Sequence, residues 1–191
     1  SVMENSKLKS KIATPRFKNK HTDDLVDHYW GSIGYITALI KASELKAGIL
    51  LSFYGILLNF IYQSHNELTV SIKSDKALIA LIVFWVILTT SSILFCVRCF
   101  LPKIEGDYKK NMFFFKDIIS KFGNIDQFSH SFFEMSTDEN QLFKQLGEQI
   151  FIISKIADWK FKNVKRAISL LAFSMGVLFL IGGYLFVMTL F

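Results

Sequence analysis

The stretch AISLLAFSMGVLFLIGGYLFVMTLF, residues 167–191, contains no charged side chain, and Lys165 and Arg166 stand directly before it. At about 1.5 Å of rise per helical residue, such a run crosses a hydrocarbon core of roughly 30 Å with some tilt. It predicts a transmembrane helix. Just upstream, Leu142, Leu146, Gln149, Ile153, Ala157, Lys160 and Val164 recur in steps of three or four. This pattern predicts a helix that begins in water near Asp138 and enters the bilayer without a break.

Two further charge-free runs, residues 47–64 and 77–97, have the length and composition of spans. Lys46 is placed to snorkel at the start of the first, and Lys76 and Arg98 bound the second. The chain carries two prolines in 191 residues, Pro15 and Pro102, so few breaks interrupt its helices. The expected fold is an all-α integral membrane protein with three transmembrane helices and a cytoplasmic helical module. Its last transmembrane helix continues a long cytoplasmic helix.

The net charge of +6 has a topological meaning in such a chain. Of 22 Lys and Arg residues, 8 precede the first run, 2 lie between the first and second, 12 lie between the second and third, and none follows. Short Lys- and Arg-rich segments stay inside. The amino-terminus and residues 98–166 are therefore expected in the cytoplasm, with the short loop 65–76 and the carboxyl-terminus outside, in the periplasm if the membrane is a bacterial inner membrane. The first forty residues lack a short apolar core followed by small residues, so no signal peptide is expected.

Residues 1–22 read as a basic tail with too little apolar surface to order itself, attracted to anionic lipid or, alternatively, to nucleotide. In residues 23–46, Val26, Trp30, Ile33, Thr37 and Ile40 share one helical face behind Thr22, Asp23 and Asp24 at the start. That face packs on other cytoplasmic helices or lies on the membrane interface. After Pro102, the apolar run Met112, Phe113, Phe114, Phe115, Ile118, Ile119 and Phe122 predicts a short helix ended by Gly123 and Asn124. Phe128, Phe132 and Phe133 mark another short apolar segment, and Ser136, Thr137 and Asp138 start the final helix. These aromatic clusters suit the core of a small helical module, and beside Lys109 and Lys110 they also suit stacking on a base.

Small and hydroxylated residues inside the spans are candidates for helix packing or a pore. Gly48 and Ser52, then Gly55 and Asn59, each repeat a four-residue step in the first span. Thr89 and Ser92 belong to a polar belt in the second, and Ala172, Gly176 and Gly183 thin the third. Such residues permit close helix approach and interhelical hydrogen bonds, and in a homo-oligomer the same contacts surround a pore. Cys96 and Cys99 form a C-x-x-C spacing with no second pair, which leaves packing, lipidation or redox chemistry as readings.

Catalytic signatures are missing. There is no P-loop, Rossmann glycine pattern, H-E-x-x-H or G-x-S-x-G, and His21, His28, His65 and His130 fall on both sides of the membrane. No metal site, cofactor or enzymatic activity is expected. No ionisable side chain lies inside a span, which argues against a proton-coupled transporter.

Four features stand in order along the chain: Glu44-Leu45-Lys46-Ala47-Gly48-Ile49-Leu50-Leu51 with Gly55 and Leu57-Leu58, then Pro102, then Asn111-Met112-Phe113-Phe114-Phe115, and last Gln149-Ile150 with Lys160-Phe161 in the final helix. In these the chain resembles the transmembrane effectors of bacterial Pycsar anti-phage defence, over residues 24–191. The resemblance implies a bacterial inner-membrane protein whose partner cyclase or nucleotidyltransferase makes a nucleotide messenger, a cyclic pyrimidine mononucleotide or a related one. It also implies an effector that assembles with itself and compromises the membrane. A nucleotide site needs cations for phosphate and a flat apolar surface for the base, which makes Tyr29, Trp30, Lys109, Lys110 and Lys160 the candidates. Each also has a plain role as a core aromatic or interface lysine. A non-conducting membrane adaptor and a constitutive small channel are the alternatives.

Overall fold

The computed structural model describes residues 20–63, 76–101, 111, 113, 118 and 124–190. Residues 1–19, the loop 64–75, Pro102, Lys109, Lys110, Gly123 and most of the apolar run 112–122, with the expectations that fall on them, lie outside the described residues. Four helices and no strand are found among the described residues: α1 (Lys20–Gln63), α2 (Lys76–Phe100), α3 (Ile125–Thr137) and α4 (Glu139–Leu190). α1, α2 and α4 are each long and apolar enough to cross a membrane. The all-α, three-span architecture expected from the charge-free runs is therefore present.

α1 continues from the amphipathic stretch into the first apolar run over 44 residues, and α4 does the same over 52. No proline interrupts either helix, and hydrocarbon favours a backbone whose hydrogen bonds are all internal. Asp138 starts α4: its Oδ1 accepts from the backbone N–H groups of Asn140 and Gln141 at 3.0 and 3.3 Å. Its Oδ2 also accepts from Gln141 Nε2 at 2.9 Å. Asn124 behaves in the same way at α3, where its Oδ1 accepts from Gln127 N at 2.9 Å with extended backbone. Asn124, expected from the sequence to end the preceding run, is the start of a helix, because an asparagine side chain satisfies an orphan N–H at an N-cap.

The chain divides into two compact units. The first takes its described residues from Ser1–Tyr35 and Gly106–Ile153, the second from Ile36–Glu105 and Ser154–Phe191. The first unit is built on aromatic contacts. Tyr29 tilts against Phe143 at 5.4 Å between centroids, and Trp30 meets Phe113 edge-on at 5.5 Å. Phe113 and Phe128 each contact Phe132, at 6.0 and 5.7 Å. Asn111 is fully buried, donating from Nδ2 to the Gln145 carbonyl at 2.8 Å and accepting from Phe113 N at 2.9 Å.

The second unit packs the apolar parts of α1, α2 and α4 around two clusters. Ala47, Cys96, Cys99, Val164 and Ala167 form one. Leu78, Trp85 and Ile181 form the other, with Leu57 and Ile61 against it. The start of the first span therefore meets the end of the second and the start of the third, so α2 runs antiparallel to both neighbours. Cys96 and Cys99 are free thiols packed inside the first cluster. Large apolar side chains point away from the bundle: Ile56, Phe60, Phe173 and Phe179 are 69–78 % exposed. A surface of that kind is stable only in contact with lipid or another protein chain.

Candidate functional site

The polar centre of the second unit is at the end where charged residues flank the spans. Lys160 is 3 % exposed and donates from Nζ to Glu44 Oε1 at 2.7 Å and to the Cys99 carbonyl at 2.5 Å. Each partner comes from a different helix, so one ammonium joins α1, α2 and α4. The Cys99 carbonyl is among the last four of α2, which have no partner within the helix, and a cation there also complements the helix dipole. The Glu44 side chain remains 38 % exposed, so water shares its charge. Nearby, the Lys46 ammonium lies 5.9 Å from the Phe161 ring centroid. One turn into the apolar region, Ser92 donates to the Ala167 carbonyl at 2.8 Å in a fully buried contact between α2 and α4.

Polar atoms deeper in the spans are left over. Tyr54 Oη, Trp85 Nε1 and Thr89 Oγ1 are buried without a hydrogen-bond partner among the described residues. Trp85 and Thr89 are four residues apart and so share a face of α2. Burying an unpaired polar group is costly, and each of these atoms retains unused hydrogen-bonding capacity.

The sequence-derived candidates separate clearly. Tyr29 and Trp30 lie in the aromatic cluster of the first unit, with Tyr29 partly buried and Trp30 48 % exposed. Lys160 lies in the second unit and is occupied by two acceptors of its own chain. Lys109 and Lys110 are outside the described residues. Among the packing candidates, Thr89 and Ser92 are buried. Gly48 is partly buried, and a Cβ built on it would lie 3.8 Å from the Phe100 ring, an ordinary contact. Ser52, Gly55, Asn59, Ala172, Gly176 and Gly183 are all exposed on the single chain. Ala172, Gly176 and Gly183 fall within about 40° of one another around α4, and Phe179, 78 % exposed, stands on the same face between the two glycines.

Sequence reasoning missed Glu44 as the partner of Lys160, since 116 positions separate them. Its only signal was a carboxylate beside Lys46 at the mouth of a span. It also missed Asn111 as an anchor. Among the described residues no group of three His, Cys, Asp or Glu is placed to hold a metal ion.

A family model described as the Pycsar effector protein domain matches residues 28–188, which takes in the aromatic cluster, the three-helix junction and all three spans. No curated protein and no solved structure matches the chain significantly. The family implies a cyclic nucleotide signal from a partner cyclase. The match runs through most of the chain, and the three apolar helices mark a membrane protein. The chain accordingly belongs to the Pycsar effector family and is an anti-phage defence effector with a membrane domain.

Proposed function

We propose that this effector assembles with itself in the bacterial inner membrane and, on sensing a nucleotide messenger, forms or gates a pore. The amino-terminus is cytoplasmic and the carboxyl-terminus periplasmic, as the Lys and Arg distribution indicates. The messenger is a cyclic pyrimidine mononucleotide or a related nucleotide, and the chain acts without catalysis or a resident cofactor. The observation that carries this reading is one exposed face of α4 where the small residues Ala172, Gly176 and Gly183 flank a projecting Phe179, on a span that leaves large apolar side chains outside the bundle. Lipid tails gain nothing from exposed glycines, whereas a second helix that seats Phe179 gains close packing beside them. Buried polar atoms without partners at Tyr54, Trp85 and Thr89 favour a second packing of the same helices in which they would be satisfied.

Ligand sensing belongs to the first unit in this reading. Trp30 offers a half-exposed ring, with Lys109 and Lys110 as the phosphate-binding cations. A change in how α4 packs over residues 139–153 is passed along the same unbroken helix to the Lys160 junction. Two packings of the helices then correspond to closed and conducting states.

The deciding experiment measures ion flux through liposomes containing the purified protein, titrated with cyclic UMP, cyclic CMP and a panel of other cyclic and linear nucleotides. Flux that rises with one nucleotide, and is lost in Lys109→Gln/Lys110→Gln, is the expected result. Gly176→Leu should leave the chain folded, since no side chain or neighbouring helix lies within 4 Å of a Cβ there, and should abolish flux by blocking assembly. Silence with every nucleotide in correctly inserted protein indicates a non-conducting adaptor. Flux independent of nucleotide indicates a constitutive channel.

A further inference from the structure

A groove of about 500 Å³ opens between α2 and α4 where the charged part of α4 gives way to its apolar run. Phe95, Leu170 and Phe173 form its apolar wall, and Lys162, Lys165 and Arg166 stand along the rim. The lining is almost wholly carbon. Arg166 lies 5.7 Å from the Phe95 ring centroid, and Arg98 lies 5.8 Å from the same ring on α2. Two guanidinium groups are thus held near one aromatic side chain. Lys162 has Asp158 as an ion-pair partner, but Arg98, Lys165 and Arg166 have no carboxylate partner among the described residues.

We propose that this groove binds an anionic glycerophospholipid, with its phosphate among Lys165, Arg166 and Arg98 and an acyl chain along Phe95, Leu170 and Phe173. The charge argument is direct, because Lys162, Lys165 and Arg166 line the groove, Arg98 stands by its Phe95 wall, and among the described residues Asp158 is the one carboxylate paired with any of them. Basic pockets at the inner ends of membrane helices are suited to anionic headgroups, and a guanidinium binds phosphate with two parallel hydrogen bonds. The depth is also consistent: the cations end at Arg166, and the uncharged run begins at Ala167. A free nucleotide would need donors and acceptors for its base edge, which a carbon-lined wall does not supply. A lipid in this position bridges α2 and α4 beside the Lys160 junction.

The test uses the full chain in neutral detergent. Native mass spectrometry follows binding of phosphatidylglycerol, phosphatidylcholine and soluble glycerophosphoglycerol at matched concentrations. Phosphatidylglycerol should be retained at least about tenfold more strongly than phosphatidylcholine. Lys165→Gln/Arg166→Gln should weaken it by about thirtyfold, while Lys165→Arg/Arg166→Lys keeps most of the affinity. Both positions are exposed, so helicity should be unchanged by circular dichroism. Equal retention of the two lipids by the unaltered chain overturns the proposal without recourse to any variant. So does a double glutamine variant that binds as well as the original. Glycerophosphoglycerol binding as tightly as the intact lipid would show a simple phosphate site and also overturn it.

Discussion

On one face of α4, the Lys160 side chain is 4 % exposed and donates to Glu44 at 2.7 Å; on the opposite face, the Lys162 side chain is 64 % exposed and meets Asp158 at 2.6 Å. The two lysines are two residues apart, which turns them about 160° from each other around the helix. Their ion-pair distances are nearly equal, yet their surroundings differ. Lys162 pairs within its own helix in water, where salt and side-chain entropy leave little net stabilisation. Lys160 is itself shielded from water and joins three helices, with only Glu44 reaching solvent, so loss of the ammonium strands its acceptors. Distance alone therefore says little about what an ion pair does in this protein. Burial and the number of elements joined decide it.

The largest effect should follow from Lys160→Met. It leaves the Cys99 carbonyl without its partner and Glu44 partly buried and unpaired, so stability should fall by about 3 kcal/mol in reversible unfolding from bicelles. A loss below about 1 kcal/mol would break the contrast between the two faces. Glu44→Gln should cost less, about 1.5 kcal/mol, because its carboxylate already shares water and the amide oxygen still accepts from Lys160. The combination Lys160→Met/Glu44→Gln should then be less destabilised than the sum of the two, a non-additivity that the same unfolding assay reads.

Ser92→Ala sharpens the comparison with a buried but neutral contact. It removes the hydrogen bond to the Ala167 carbonyl and should cost about 0.6 kcal/mol, typical of such bonds between membrane helices. Lys162→Gln should have the smallest effect, below about 0.5 kcal/mol, and raising salt should erase even that. Salt should leave the Lys160→Met penalty nearly unchanged, since buried pairs are screened much less.

The membrane architecture was legible because a bilayer imposes a length and a polarity that no soluble core demands. Residues 47–64, 77–97 and 167–191 announce themselves by lacking charge, and α1, α2 and α4 contain their described residues. The long α4 was legible for a related reason, since its apolar period continues upstream through Val164, Ala157 and Leu146, all buried in the structure. Local signals were weaker. A Gly-Asn pair ends one helix as readily as it begins another, and Asn124 caps α3. The aromatic residues were recognised as a cluster, but the pairing of Trp30 with Phe113 and of Tyr29 with Phe143 depends on helices far apart in sequence.

By itself, then, the sequence determined the helical class, the three spans, the continuity of the last helix and the family. Each of these follows from local composition, from periodicity or from the order of short motifs. Only the tertiary structure decided that Lys160 serves Glu44 and Cys99, that Ser92 reaches Ala167, and that Ala172, Gly176 and Gly183 remain outside the single-chain bundle. A lysine at the mouth of a span has the same composition whether it faces headgroups, ligand or a carboxylate. Its role is set by which helix packs beside it, and that packing depends on contacts 61 and 116 positions away.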